Sequence, residues 1–184
     1  INVFSRLIHS DGTVDQETIY TETISVTGGY FAPYTVSDIL IGEIGQLFIV
    51  KNDVNSTSGQ SNVKLIKYNA YSVTNGWTID SSFGTNGEFI VDLNTDFRDA
   101  KGVVINGVPR IYGRYNDNST GNQLAAAYVI GGGTGSGFSV FTSNSQNQFS
   151  FVGDVIRLTS GDVIIADNKY SSVWNGNYYD VTNM

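Results

Sequence analysis

Apolar and polar positions alternate with a period of two along most of the chain, in short runs rich in Val, Ile, Tyr, Phe and Thr. Successive side chains of a β-strand point to opposite faces, so this period predicts half-buried strands. No stretch of twelve or more residues carries an i, i+3, i+4 apolar stripe free of Gly and Asn. The chain therefore reads as all-β. Its runs also recur: NVFSRLIHS from Asn2 returns as NVKLIKYNA from Asn62 and as NQLAAAYVI from Asn122, each sixty positions after the last. Self-similarity at a fixed period is the mark of stacked repeats.

Each period contains the same strands in the same order. A first strand (Val36 to Ile41; Lys101 to Ile105; Asp154 to Leu158) meets a tight turn (Gly42 to Gly45; Asn106-Gly107; Ser160-Gly161). A second strand returns (Gln46 to Lys51; Arg110 to Tyr115; Val163 to Asp167), a third follows a polar loop (Val63 to Asn69; Gln123 to Ile130), and a fourth follows a longer Gly/Asn-rich loop (Glu88 to Leu93; Phe138 to Thr142). One antiparallel four-stranded meander leaves an apolar face uncovered, and radial stacking of such sheets is the β-propeller solution. The expected fold is a single propeller-like domain over residues 1–184, with repeat units near 1–60, 61–120 and 121–184 and about three blades, as a whole or as a segment of a larger propeller or assembly.

The chain opens on third and fourth strands, Val3 to Ile8 and Thr18 to Val26, and its last full pair is a first and second strand. The two sets are expected to share a blade, which would remove two open sheet edges. Beyond them, Trp174-Asn175-Gly176-Asn177 carries the Asn-Gly of a type I′ hairpin, which either extends the last blade or begins another.

In the middle repeat, Lys64-Leu65-Ile66-Lys67-Tyr68-Asn69, Asp80-Ser81-Ser82-Phe83-Gly84-Thr85-Asn86-Gly87, Gly102-Val103-Val104 and Pro109-Arg110-Ile111-Tyr112-Gly113 follow one another. This segment resembles the delta-60 repeat of bacterial and phage surface proteins described as adhesins. The first repeat keeps only Asp11-Gly12-Thr13-Val14-Asp15 of the loop, and the third replaces it with Gly131 to Gly137. The resemblance implies a propeller-like fold and a surface role, and carries over no catalytic residues. Turn chemistry accounts for the Asp80 segment on its own: Asp80 bonds the following amides, Gly84 and Gly87 accept positive φ, and Phe83 plugs the gap between blades.

Composition narrows the function. With no Cys and one His, His9, there is no disulfide framework, no thiolate nucleophile and no multi-His metal centre within one chain. A formal charge of -7, with 17 acidic against 10 basic side chains, argues against a nucleic-acid surface, which depends on Lys and Arg. No apolar run approaches the roughly 20 residues of a membrane-spanning helix, so no membrane insertion is expected. The Asn, Ser, Thr, Gly and Tyr content suits an extracellular, cell-surface or virion setting, with copies of the chain itself, other surface proteins or cell-surface glycans as partners.

The loops Asp53-Val54-Asn55-Ser56-Thr57-Ser58-Gly59 and Asn116-Asp117-Asn118-Ser119-Thr120-Gly121 are equivalent. Their alternating oxygens, led by Asp53, Asn55, Asp117 and Asn118, resemble the start of a calcium loop but lack its closing Glu. Calcium is the one ion these loops suggest; no other cofactor is expected. Asp92, Asp96 and Asp99, and Glu17 near Glu22, supply carboxylates for a glycosidase pair, although solvated loop acids are the commoner use of such residues. Tyr71, Trp77, Trp174, Tyr178 and Tyr179 are the better lead. Rings beside Asn, Ser and Asp can cover the C–H face of a sugar while their neighbours bond hydroxyls, and the alternative use of the same rings is packing between blades. The chain thus reads as a non-enzymatic structural or attachment module, with a carbohydrate-active enzyme or a self-assembling architectural piece as the rival readings.

Overall fold

The computed structural model describes residues 2–8, 10–23, 36–54, 61–72, 74–91, 96–117, 119, 122–130, 137–140, 148–174 and 179–183. Among them the regular elements are all strands. β1 (Asn2–Ile8) and β2 (Val14–Thr23) form a hairpin, while β3 (Val36–Ile41), β4 (Leu47–Val54), β5 (Ser61–Tyr68) and β6 (Glu88–Val91) form a four-stranded antiparallel sheet in chain order. β7 (Phe97–Ile105), β8 (Val108–Asp117), β9 (Asn122–Val129) and β10 (Phe138–Val140) repeat that meander. β11 (Gln148–Arg157), β12 (Val163–Trp174) and β13 (Tyr179–Asn183) form a further antiparallel run, joined to β9 by one parallel pairing of Phe149 with Gln123.

The turns sit where Asn and Gly put them. Asn106 and Gly107 both have positive φ, 52° and 75°, and join β7 to β8, the two-residue geometry whose twist matches paired strands. Ser160-Gly161 likewise falls between β11 and β12.

Packing explains why the strand runs are so continuously apolar. Leu47, Phe48, Ile49 and Val50 are consecutive and all buried, as only a strand covered on both faces can be. Phe48 and Val50, with Leu40, Val63, Leu65 and Val91, pack against Phe97, Ala100, Val104, Ile111 and Ala126 of β7–β9. The other face of β7–β9 offers Tyr112, Ala125 and Ala127 to Val152, Val155, Val163 and Ile165 of β11–β12. β7 lies between β3 on one side and β11 on the other. Three sheet layers therefore stack through two apolar interfaces.

Polar ties cross the same interfaces. The Gly102 amide donates to Asp38 Oδ2 at 2.8 Å, the Asn106 amide to Glu43 Oε1 at 3.0 Å, and Arg157 Nη1 to Glu43 Oε1 at 2.6 Å. Glu43 thus holds the first turn of its own layer to residues of both following layers.

The termini depart from expectation. β1 and β2 are hydrogen-bonded only to each other, and the outer edge of β12 is taken by β13, so the two ends do not share a sheet among the described residues. Of the two expectations for the C-terminal hairpin, extension of the last sheet holds: Trp174 pairs with Tyr179 and β13 adds a strand beside β12, while Asn175 and Gly176 lie outside the described residues. Local alternation specifies a strand but not which distant edge it joins, and a nearby hairpin partner needs less loop closure than one at the other terminus.

Candidate functional site

The carboxylates come first, because hydrolysis or cation binding would depend on them. Asp99 lies within β7, not on a turn, at a register shift with φ of 56°. Its Oδ2 accepts Arg114 Nη2 at 2.6 Å and its amide donates to Asn52 Oδ1 at 2.9 Å. Burial lowers the Arg114 pKa, as does the Arg98 charge, and Asp99 and Asp96 oppose that shift. Asp96 Oδ1 accepts the Ser61 amide at 2.8 Å, tying the start of β5 to the approach of β7. Both acids act as struts between layers. Asp92 lies outside the described residues, as do the side chains of Glu17 and Glu22.

A second set of acids closes turns. Asp117 Oδ1 accepts both the amide and the hydroxyl of Ser119, at 2.9 and 2.6 Å. Asp11 does the same for Thr13 at 2.9 and 2.7 Å, and Asp80 for Ser82 at 3.1 and 2.5 Å. This recurring Asp-x-Ser/Thr arrangement is the Asx turn, in which the carboxylate mimics a backbone carbonyl. Asp53 is the last residue but one of β4 and Asp117 the last of β8, opposite Asn62 and Asn122. Their calcium-loop companions Asn55 and Asn118 lie outside the described residues, as does the Asp53 side chain.

Asp80 is the most heavily committed acid. Besides Ser82 it meets Lys67 Nζ at 2.7 Å. The Lys67 ammonium, and then the Ser82 hydroxyl, hold its carboxyl down at about 2. Lys67 in turn lies 5.8 and 5.9 Å from the ring centres of Phe48 and Phe83. Phe83 stands edge-on to Phe48 at 5.7 Å and beside Phe89 at 6.1 Å, and Phe89 reaches Tyr128 of β9 at 6.2 Å. The segment Asp80 to Gly87 therefore plugs the space between two layers, the structural role its sequence suggests.

Of the five aromatic residues singled out in the sequence, two come together. Tyr68 bridges Ile79, the Asn69 amide donates to the Thr78 carbonyl, and Ser72 and Gly76 exchange two backbone hydrogen bonds. The chain between β5 and β6 is thus a narrow hairpin carrying Tyr71 and Trp77, whose ring centres lie 5.7 Å apart. Trp77 packs onto Leu47, Ile49, Ile66 and Tyr68, and its Nε1 is shielded from solvent without a hydrogen-bond partner among the described residues. Tyr71 is 45% exposed. Asn69 Nδ2 and Thr78 Oγ1, 3.2 Å apart, supply exposed polar groups on the same hairpin. Trp174 and Tyr179 are on strands rather than loops, directly opposite each other across β12–β13, on a different sheet from the Tyr71 hairpin. Tyr178 lies outside the described residues.

Two further features were not singled out in the sequence. An open groove of about 720 Å³ runs along Gly84, Thr85, Asn86, Glu88, Phe89 and Ile90. The second is the face of β3–β6 turned away from β7, where Ile39, Ile41 and Ile90 stand exposed around buried Leu47, Ile49 and Ile66. The consecutive run Leu47 to Val50 was its signal, since a strand apolar at every position needs cover on both sides. No family model, curated protein or solved structure matches the chain.

Proposed function

We propose that this chain is a non-enzymatic structural and attachment module of an extracellular, cell-surface or virion protein. Its four-stranded units stack as about three propeller-like blades, and glycan contact runs through Tyr71 and Trp77. The observation that carries this reading is the employment of the carboxylates. Asp96 and Asp99, the described members of the best acid cluster in the sequence, hold one layer to the next. A hydrolase needs two carboxyl groups facing a substrate, one of them in a setting that raises its pKa. The Tyr71 hairpin supports the attachment role: a half-exposed ring backed by a second ring, with amide and hydroxyl groups on the same arm, matches the mixed face of a sugar.

The test is a glycan array probed with the intact chain, followed by titration of each hit against intrinsic Trp fluorescence. Tyr71→Ala should abolish glycan capture while leaving the melting temperature within a degree or two, because the ring is half exposed. Hydrolysis of a polysaccharide, or glycan binding indifferent to Tyr71, would overturn the reading.

A further inference from the structure

We propose that Asn106 is a self-modification site: the following backbone nitrogen and water convert its side chain to aspartate or isoaspartate, and this loosens the joint at which the three layers meet. The reaction needs no partner but water. The Gly107 nitrogen attacks the carbonyl carbon of the Asn106 side chain, the side-chain nitrogen leaves as ammonia with the proton that Gly107 gives up, and a five-membered imide remains. Water then opens one of its two carbonyls. One opening leaves aspartate, and the other leaves isoaspartate, in which the main chain runs through the side-chain carbon. Glycine is the favourable neighbour because it has no side chain to shield its nitrogen and its backbone turns freely.

Four Asn-Gly pairs occur in the sequence, beginning at Asn75, Asn86, Asn106 and Asn175. The last lies outside the described residues. Asn75, Asn86 and Asn106 are all exposed, so access does not separate them. Their glycine nitrogens do. The Gly76 amide donates to the Ser72 carbonyl at 2.7 Å, and the Gly87 amide to the Phe83 carbonyl at 2.9 Å. Both glycines are buried, and Gly87 is hemmed in by Ile79 and the Asp80 carbonyl. Ring closure swings the peptide plane out of its turn, which at either place breaks a hydrogen bond and displaces packed neighbours. Gly107 is exposed, its amide makes no hydrogen bond among the described residues, and no atom lies within 4 Å of where a Cβ would stand. Of the three, the fold leaves only this nitrogen free to react.

The position gives the reaction a structural consequence. The Asn106 amide donates to Glu43 Oε1 at 3.0 Å, the same oxygen accepts Arg157 Nη1 at 2.6 Å, and Arg157 also reaches the Val104 carbonyl at 3.0 Å. One carboxylate thus joins the β3–β4 turn, the β7–β8 turn and the end of β11. Either product sets a second carboxylate beside Glu43, and like charges at such range repel. Isoaspartate also inserts a methylene into a two-residue turn whose length fixes the pairing of Ile105 with Val108.

The experiment holds the full chain in warm, mildly alkaline buffer and reads amide-to-acid conversion at each asparagine by peptide mapping and mass spectrometry over several weeks. Asn106 should convert first, about tenfold ahead of Asn75 and Asn86, the factor that one backbone hydrogen bond is worth. In unfolding concentrations of urea the three should convert at similar rates, because each pair is then released from its turn. The aged wild type should melt below the fresh protein. Asn106→Gly keeps a residue that accepts positive φ but has no side-chain amide, and it should melt alike before and after ageing. An Asn106 that keeps its amide, or an Asn75 or Asn86 that converts as fast in the folded chain, would overturn the proposal. So would the same order persisting in urea, which would trace the selectivity to sequence and not to the fold. Aged wild type that melts as the fresh protein does, or an Asn106→Gly variant that loses as much on ageing, would overturn the loosening of the joint.

Discussion

Asp80 shows how one side chain serves both its turn and the core. It caps Ser82 and neutralises Lys67, and Lys67 lies against the rings of Phe48 and Phe83. Its carboxyl sits at about 2 against an ordinary 3.8, so the folded state favours the charged form. A depressed folded pKa contributes stability that is complete above the unfolded value and is lost as pH falls through the folded one. This contribution should therefore be full above about pH 4 and decline toward about pH 2. Partial solvent screening of the pair reduces it to roughly 1–2 kcal/mol. Asp80→Asn should lower stability by that amount at neutral pH in urea denaturation. Near pH 2 wild type and variant should converge; a gap that persists there would mean the loss is not one of charge.

At the scale of elements, the strands were legible and their associations only partly so. Period-two alternation and the Asn106-Gly107 turn marked β3 to β5, β8 and β9 to within about three residues at their ends, because turn chemistry and strand period are local; β11 instead begins at Gln148, ahead of the expected Asp154, and β12 runs on to Trp174, past the expected Asp167. The start of β7 was missed by four residues. Phe97 to Ala100 contains Asp99 in a left-handed conformation, which reads as a turn in sequence but is a bulge held by Asn52 and Arg114. Trp174 and Tyr179, read as lying in loops or beside the Asn175-Gly176 turn, are paired with each other in the β12–β13 ladder. The Tyr71–Trp77 pairing depends on the backbone exchange between Ser72 and Gly76, which no alternation encodes. The bulge makes a test of its own. Asp99→Ala should cost about 1–3 kcal/mol, since it removes a charged partner of Arg114 and places a side chain that rarely adopts positive φ there. Asp99→Asn should cost less, because Asn tolerates that conformation and can still accept a hydrogen bond. Equal losses in chemical denaturation would mean the backbone conformation is not what the site selects.

For the whole molecule, the layers predict an asymmetry between the two ends of the chain. β1 and β2 satisfy each other's backbone groups and join neither larger sheet, so removing residues 1–23 leaves every described strand of the three layers with its pairing intact. β11 and β12 instead cover Tyr112, Ala125 and Ala127 with Val152, Val155, Val163 and Ile165. Fully burying side chains of that size contributes about 1.5–3 kcal/mol each. A chain of this length shifts its melting temperature by roughly 2–4 °C per kcal/mol, so removing residues 148–184 should lower the midpoint by well over ten degrees or abolish the cooperative transition, in line with several such losses at roughly that rate. Removing residues 1–23 should move it by no more than a few degrees. Differential scanning calorimetry of the two truncations side by side reads the order directly. Were the N-terminal deletion the more damaging, β1–β2 would have to be covering a layer, and the face of β3–β6 that buries Leu47, Ile49 and Ile66 on the side away from β7 would be the one it covers.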